Sequence, residues 1–387
     1  MRASGQAGDA RRRAGSMRIA YLVHGVAGTG SGVRSKILSQ AATWSALAPE
    51  LQVGIFVRCE AGAEDEWTGQ PHVIKVRSSR AGIPGRLLQR ELLSREVRAW
   101  RPDLVYMRQS TVSPSTVALA LAIPTVVELN TLDLAELRTR SWPRYWYAIA
   151  TRSLVLRSAR GIVVVTDEIA RHESVRRFGR PTETIPNGID LESYPPTPPP
   201  ANAHPRLVFL GAPGLAWHGL DKIRQMAVRF PAWTFDIIGP RPAELDGPPN
   251  VRMHGLLAPD EYLPIFARAD VAIGSLALHR KRMDEASPLK VAEYLARGIP
   301  TIIGYFDGRF PSNAPFLLRI PNDEDSVAVS FDAIEAFVTR WQGRRVDRKS
   351  VMGIDARQIE QRRLDFMRRM AGTKVTVGDP STQQQAG

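Results

Sequence analysis

The sequence holds one cysteine, Cys59, in 387 residues. That scarcity excludes an internal disulfide framework and any cysteine-rich zinc site, and Cys59 reads as a strand-end residue. Long apolar runs are missing too. The strongest, around residues 162–165, is far shorter than the stretch needed to cross a bilayer. The basic N-terminus is not followed by the apolar core of a secretory leader, so the expected compartment is the cytoplasm. Met17 stands as an alternative start, because a strand pattern opens right after it. No helix–turn–helix, stacked-aromatic strand motif or zinc-finger spacing supports nucleic-acid binding.

Acidic residues are under-supplied, 39 against 52 lysines and arginines, for a net charge of +13. Residues 1–16 carry +3 and residues 343–370 carry +5, so eight of the thirteen excess charges lie near the two ends. Such a balance implies attraction to an anionic surface or to phosphorylated ligands, with a solvated basic exterior as the bland alternative. Residues 138–157, RTRSWPRYWYAIATRSLVLR, interleave arginines with Trp142, Tyr145, Trp146 and Tyr147. That composition suits a membrane interface or an acceptor wall, or else a helix that packs its aromatics inward. The helical stretch 84–100, with Arg86, Arg90, Arg95 and Arg98, adds weight to attachment at an anionic membrane surface, peripheral on its inner face.

What the chain does have is alternation. Runs at 18–24, 52–57, 72–76, 103–107, 124–129 and 161–166 lack polar alternation, as strands covered on both faces do. Helical patterns fill the gaps at 32–47, 84–100, 113–121, 141–158 and 167–178. Residues 195–200 hold five prolines in six positions, which fit neither a helix nor a central strand. After this linker the pattern restarts, with strands at 206–211, 234–239, 250–255, 270–275 and 300–304 and helices at 219–230, 259–268, 288–297 and 323–341. The expected fold class is α/β: two Rossmann-like, doubly wound parallel-sheet domains facing across a cleft. The divisions are a disordered basic segment 1–16, an acceptor-side domain 17–194, a linker 195–205, a nucleotide-sugar domain 206–342, a basic helix 343–371 and a polar tail 372–387. A cleft between two such halves suits chemistry that must exclude water.

The most informative stretch is 279–303, HRKRMDEASPLKVAEYLARGIPTII. Ser287 reads as a helix N-cap and Pro288 as the first helical residue. The amides of Leu289 and Lys290 would then be free donors at the positive end of the dipole, and a lysine misplaced there makes sense if an anion binds. Glu293 lies one turn deeper on the same face, where a carboxylate can accept from a ribose diol. Glu285, in the preceding loop, brackets the phosphates from the sugar side. The triplet DED at 323–325 reads as acids at a helix start rather than as a metal site.

Glu285 and Glu293, with PLKVAEYLARGIPTI around them, resemble the E-x7-E signature of the family 4 glycosyltransferases, which have the GT-B fold. GTGSG (28–32), PDLVYMRQS (102–110), IPTVVELN (123–130), TIPNGID (184–190) and the run 250–275 extend the resemblance over residues 17–340. It implies a retaining, metal-independent enzyme without a cofactor, using a nucleotide-diphosphate sugar. Glu293 would bind the donor ribose, Glu285 the transferred sugar, and Ser287, Pro288, Leu289 and Lys290 the diphosphate, with Lys290 also aiding catalysis. Gly30 and Gly32 would approach the diphosphate from the other domain, and Gly255, beside His254, would lie by the base. Two departures stand out. Where the family has an arginine and a lysine after the first C-domain strand, this chain reads GAPGLAWHGLDKI (211–223), with His218 in the lysine's place; Lys222, Arg280 or Lys290 are the compensating candidates. Where many members have an N-domain histidine, the residues are Glu128, Leu129 and Asn130. Asn130 stands as the catalytic candidate there, and Glu128 and Arg108 stand as acceptor contacts. A cell-surface glycan, glycolipid or small molecule is the expected acceptor class. A catalytically weak GT-B scaffold and a GT-B-like sugar-nucleotide epimerase are the alternative readings.

Overall fold

The computed structural model describes residues 16–26, 32–59, 61–78 and 82–372. The N-terminal sheet has seven parallel strands: β1 (Arg18–Val26), β2 (Gln52–Cys59), β3 (Val73–Ser78), β4 (Leu104–Arg108), β5 (Thr125–Leu129), β6 (Gly161–Val164) and β7 (Thr182–Thr184), in the order β3-β2-β1-β4-β5-β6-β7. The C-terminal sheet has six: β8 (Arg206–Leu210), β9 (Thr234–Ile238), β10 (Val251–Gly255), β11 (Val271–Ile273), β12 (Thr301–Ile303) and β13 (Leu317–Arg319), in the order β10-β9-β8-β11-β12-β13. Each order reverses beside the domain's first strand, and ligands of open α/β sheets bind at that switch point, off the carboxyl ends. The two doubly wound domains are those the alternation predicts.

The helices of the N-terminal half are α1 (Gly32–Leu47), α2 (Gly82–Ala99), α3 (Pro114–Ala122), α4 (Asp133–Arg140), α5 (Trp142–Ser158), α6 (Asp167–Arg171) and α7 (Glu173–Arg176). Those of the C-terminal half are α8 (Leu220–Arg229), α9 (Pro259–Arg268), α10 (Leu289–Ala296), α11 (Phe331–Trp341) and α12 (Ala356–Ala371). Leu93 and Val97 of α2, Leu119 of α3 and Val155 of α5 fill one face of the first sheet, while Ile37 and Trp44 of α1 join Leu364 and Met367 of α12 on the other. Helix α12 therefore crosses back from the second domain to cover the first. Residues 161 and 366 meet so closely that a Cβ on Gly161 would lie 2.7 Å from the Phe366 ring.

Four details differ from the sequence reading. β7 and β13 are three residues each, TET and LLR, too short for a period to register. The stretch 167–178 is two helices, broken at His172, which caps the second. The helix expected over 323–341 begins at Phe331. The carbonyls of Asp323 and Glu324 turn instead onto the buried Lys222 ammonium, at 2.7 and 2.6 Å, so the DED acids do not lead a helix. The proline segment is extended but not free: the Thr197 amide donates to Arg297 O at 3.0 Å, and Asn202 Nδ2 donates to Arg268 O at 2.7 Å and Asp270 at 2.8 Å.

The arginines of 343–370 are largely consumed within the fold. Arg345 and Arg348 donate to backbone carbonyls, Arg363 is buried, and Arg368 and Arg369 pair with Glu50 and Glu183. In α2, Arg90 donates to Thr111 O and Arg95 pairs with Glu91, so these side chains are also engaged.

Candidate active site

The switch point of the second sheet lies between β8 and β11, and the ends of β8 and β9 shape the edge beside it. Gly239, with φ of 101°, sits so close to the first strand's end that a Cβ would lie 1.6 Å from Gly211 O, so only glycine fits. The loop after β8 folds back through His218. The Ala212 amide donates to His218 Nε2 at 3.2 Å, and Nδ1 lies 3.3 Å from Ser275 Oγ. Burial, with Lys290 and Lys281 nearby, lowers the His218 pKa to about 2. His218 is thus a neutral imidazole with both nitrogens engaged, and it does not supply the cation that a lysine would. Lys222 and Arg280 do not compensate either. Lys222 is spent on the Asp323 and Glu324 carbonyls and Ser326 Oγ, and Arg280 is clamped between Asp221 and Glu324, at 2.8 and 2.6 Å.

Lys290 behaves differently. Its ammonium sits 4.1 Å from the centroid of the Phe209 ring, which also packs on His218, and no hydrogen-bond partner reaches it. Burial alone lowers its pKa to about 7. It lies in the first turn of α10, whose N-cap is Pro288, with no side chain capping the leading amides. Ser287, expected as that cap, accepts instead from the Asn187 amide at 3.0 Å, while Asn187 Nδ2 donates to Ser287 O at 2.7 Å. The displaced serine ties the TIPNGID segment to the start of α10 and leaves the helix amides open. An uncapped positive helix end beside a buried, unpartnered lysine is an arrangement suited to an anion. Lys281, not anticipated from the sequence because it reads as one cation of a basic loop, faces the same region. Its Nζ lies 3.5 Å from Thr131 Oγ1 of the first domain and 5.1 Å from the Trp217 ring centroid.

Glu293 lies one turn further along α10, largely buried. Its carboxylate accepts from Tyr262 Oη at 3.3 Å and from Arg297 Nε at 3.2 Å, and burial raises its pKa despite both partners. Glu285 is not projected toward open space. One carboxylate oxygen accepts from the Glu168 amide at 2.9 Å, at the start of α6, and the other from Arg171 at 2.8 Å. Reciprocally, Glu168 accepts from the amides of Asp284 and Glu285 at 3.0 and 2.8 Å. This double clasp joins the two domains and occupies the carboxylate expected to meet the sugar. Gly255 ends β10 with φ of 68°, its carbonyl accepting from Gly239 at 2.6 Å, beside His254, which contacts Asp236 at 2.8 Å.

On the N-terminal side, Asn130 Oδ1 accepts from Lys36 Nζ at 2.8 Å. The same ammonium meets Glu128 at 2.8 Å, and Arg363 reaches Glu128 at 3.3 Å. Glu128 is fully buried, so it lies in the floor rather than on a surface an acceptor can reach. Lys36 was not anticipated either, since a lysine on a helix normally reads as solvent-facing. Arg108 ends β4, half-buried. Gly32 begins α1 with open space around its Cα, and Gly30 lies outside the described residues. The described residues thus bring Lys290, Ser287, Leu289, Glu293 and His218 together on one domain and Asn130 opposite, while Glu128 sits apart beneath it. Among the described residues no cluster of His, Cys, Asp or Glu is arranged to hold a metal ion, and no helix is long and apolar enough to cross a membrane.

Residues 45–193 match the family described as Glycosyltransferase Family 4; the segment from Glu285 to Glu293 lies beyond that match. No curated protein sequence matches the chain. Among solved structures, it is similar to sucrose-phosphate synthase from Thermosynechococcus elongatus, with a TM-score of 0.67 and 15% identity over 92% of this chain and 99% of that one. It is also similar to HepE from Anabaena in complex with UDP and glucose, with a TM-score of 0.60 and 18% identity over 90% and 99%. A UDP-GlcNAc 2-epimerase from Neisseria meningitidis bound to UDP-GlcNAc is similar at a TM-score of 0.53 and 12% identity over 91% and 100%. The chain is therefore a two-domain protein of the GT-B fold, with a match to Glycosyltransferase Family 4 over residues 45–193.

Proposed function

We propose that this chain is a retaining, metal-independent glycosyltransferase that takes a UDP- or GDP-sugar as donor. The observation that carries the reading is the Lys290 ammonium, buried without a partner beside the uncapped start of α10. A diphosphate placed there would receive the α10 amides and the lysine, and Glu293 would accept from the ribose hydroxyls one turn away. When the bond from the anomeric carbon to the diphosphate oxygen breaks, negative charge grows on the leaving group. Lys290, with Lys281, which also neighbours His218, would offset it in place of a metal. Asn130, its Oδ1 held by Lys36, would be the catalytic side chain of the N-terminal domain. Sugar transfer also requires Glu285 to release its clasp on α6, so domain opening precedes its contact with the sugar.

Glu293→Gln should weaken nucleotide binding by about 1–3 kcal/mol, because it removes a charge-assisted acceptor. Titration calorimetry with UDP and GDP reads this directly, and unchanged affinity would remove Glu293 from the ribose site. Glu285→Gln should lower turnover more than nucleotide affinity. A weak or inactive scaffold is favoured by one observation, the neutral His218 where the family has a lysine. Donor hydrolysis across a panel of nucleotide sugars separates the readings: binding without turnover marks the scaffold, and interconversion of epimers without transfer marks an epimerase.

A further inference from the structure

Helix α5 has 17 residues, about 25 Å at 1.5 Å per residue. It returns the chain from β5 to β6, strands of five and four residues that span only about 13–17 Å. The helix outruns the sheet it packs on, and none of residues 142–150 is buried. That overhang is WPRYWYAIA, apolar at every position but one. Trp142 is 54% exposed, Trp146 61% and Ile149 43%. The rings of Trp142, Tyr145 and Trp146 cluster at centroid distances of 5.4–6.4 Å, with the Arg138 guanidinium 5.9 Å from the Trp142 ring centroid. Tyr147 anchors the base of the overhang by donating to Val112 O at 2.8 Å.

We infer that the tip of the α4–α5 hairpin docks into the interface of an anionic lipid bilayer. Tryptophan and tyrosine rings with apolar bodies and polar edges are suited to the headgroup level of a membrane. No acidic residue occurs between Glu136 and Asp167, a span holding six arginines. Of these, Arg152 is spent on Asp133, while Arg138 and Arg144 remain exposed at the tip. Anionic headgroups complement that charge. A symmetric contact with a second copy would instead set the same arginines against each other. The tip is also continuous with the cleft. Helix α4 follows the loop carrying Asn130 and Thr131 and packs on the turn Leu278–Lys281 of the other domain. Docking would therefore present the acceptor side of the cleft to the membrane, so the acceptor is a membrane-held amphiphile with a headgroup hydroxyl. That last step rests on the glycosyltransferase reading, whereas the docking does not.

The test is co-sedimentation of the full chain with vesicles of phosphatidylcholine alone and of phosphatidylcholine containing phosphatidylglycerol. The wild type should sediment with the anionic vesicles. Trp142→Ser/Trp146→Ser should lower that partition by about tenfold or more, since both rings leave the interface. Its melting temperature and UDP affinity should stay at the wild-type values, because both side chains are exposed. Arg138→Gln/Arg144→Gln should weaken binding to the anionic vesicles and leave any binding to neutral ones unchanged. Three outcomes would overturn the docking: no sedimentation of the wild type, equal sedimentation of the tryptophan variant, or a wild-type dimer that this variant dissociates. Failure of wild type and variant alike to bind UDP would instead remove the glycosyltransferase reading and leave the docking intact.

Discussion

Lys290→Met should cost about 2–5 kcal/mol in nucleotide-sugar affinity, roughly 30- to 5000-fold, while the empty protein melts at a higher temperature than the wild type. Both effects follow from one ammonium held away from water without an ion partner. In the empty protein, burial lowers its pKa to about 7, against about 10.4 in an unfolded chain. The unfolded state therefore binds more protons between those values, and this group makes folding more favourable as pH rises from 7 to about 10. Methionine fills a similar volume and has no charge to desolvate, so the penalty and its pH dependence both vanish. For ligand binding the sign reverses. A diphosphate raises the lysine's pKa, so above pH 7 the complex keeps a proton that the empty protein has lost. Affinity should be full below pH 7 and fall by up to about tenfold per pH unit above it, until the raised pKa is reached. A UDP-sugar is the right probe, because its diphosphate has no proton to lose in that range. Calorimetry from pH 6.5 to 9 reads the slope, and a flat profile in the wild type, or a slope that survives in Lys290→Met, would place the diphosphate elsewhere.

The sheets and the E-x7-E helix were legible because their signals are local: β-branched runs, a proline break, and acids spaced by helical turns. Less legible was everything set by contacts between distant segments. Ser287 reads as a cap because serine before proline usually is one, yet Asn187, a hundred residues earlier, claims its oxygen. Glu285 meets the signature, but α6 of the other domain takes its carboxylate. The basic 343–370 segment reads as an attraction to outside anions, and in the fold its arginines answer carboxylates and carbonyls from both domains. The aromatic stretch at 142–150 shows the converse. Its composition permits an inward-packed helix, and the shortness of β5 and β6 leaves it exposed.

Arg363→Met should be the most damaging single change away from the start of α10, lowering the stability of the N-terminal domain by about 3–5 kcal/mol. Arg363 is fully buried between Glu360 at 2.8 Å, Tyr106 Oη at 2.8 Å and Glu128 at 3.3 Å. Burial alone would push the Glu128 carboxyl up, but Lys36 and Arg363 beside it hold it well below the ordinary carboxylate range. Without the guanidinium, Glu128 keeps the Lys36 ammonium and the Arg108 charge, Glu360 keeps only the neutral donors Gln40 and Trp44, and α12 loses its charged tie to the sheet. A depressed carboxyl responds to acid in a defined way. The folded-state pKa of Glu128 lies below its unfolded value near 4.3, so its stabilisation is fully present above that pH and fades as pH falls toward the folded value. In Arg363→Met the depression shrinks, and this acid-dependent component shrinks with it. Arg363→Lys keeps the charge without the fork and should fall between. The consequence reaches the cleft, because the Lys36 ammonium that answers Glu128 also holds Asn130 at 2.8 Å. Thermal melts over pH 2.5 to 7, read by tryptophan fluorescence, to which Trp44 contributes with its indole donating to Glu360 at 2.7 Å, cover the range in which this component is lost. A variant that melts with the wild type at pH 7 would show that α12 is held by its apolar face alone, and that the buried ion network is dispensable for joining the end of the chain to its first domain.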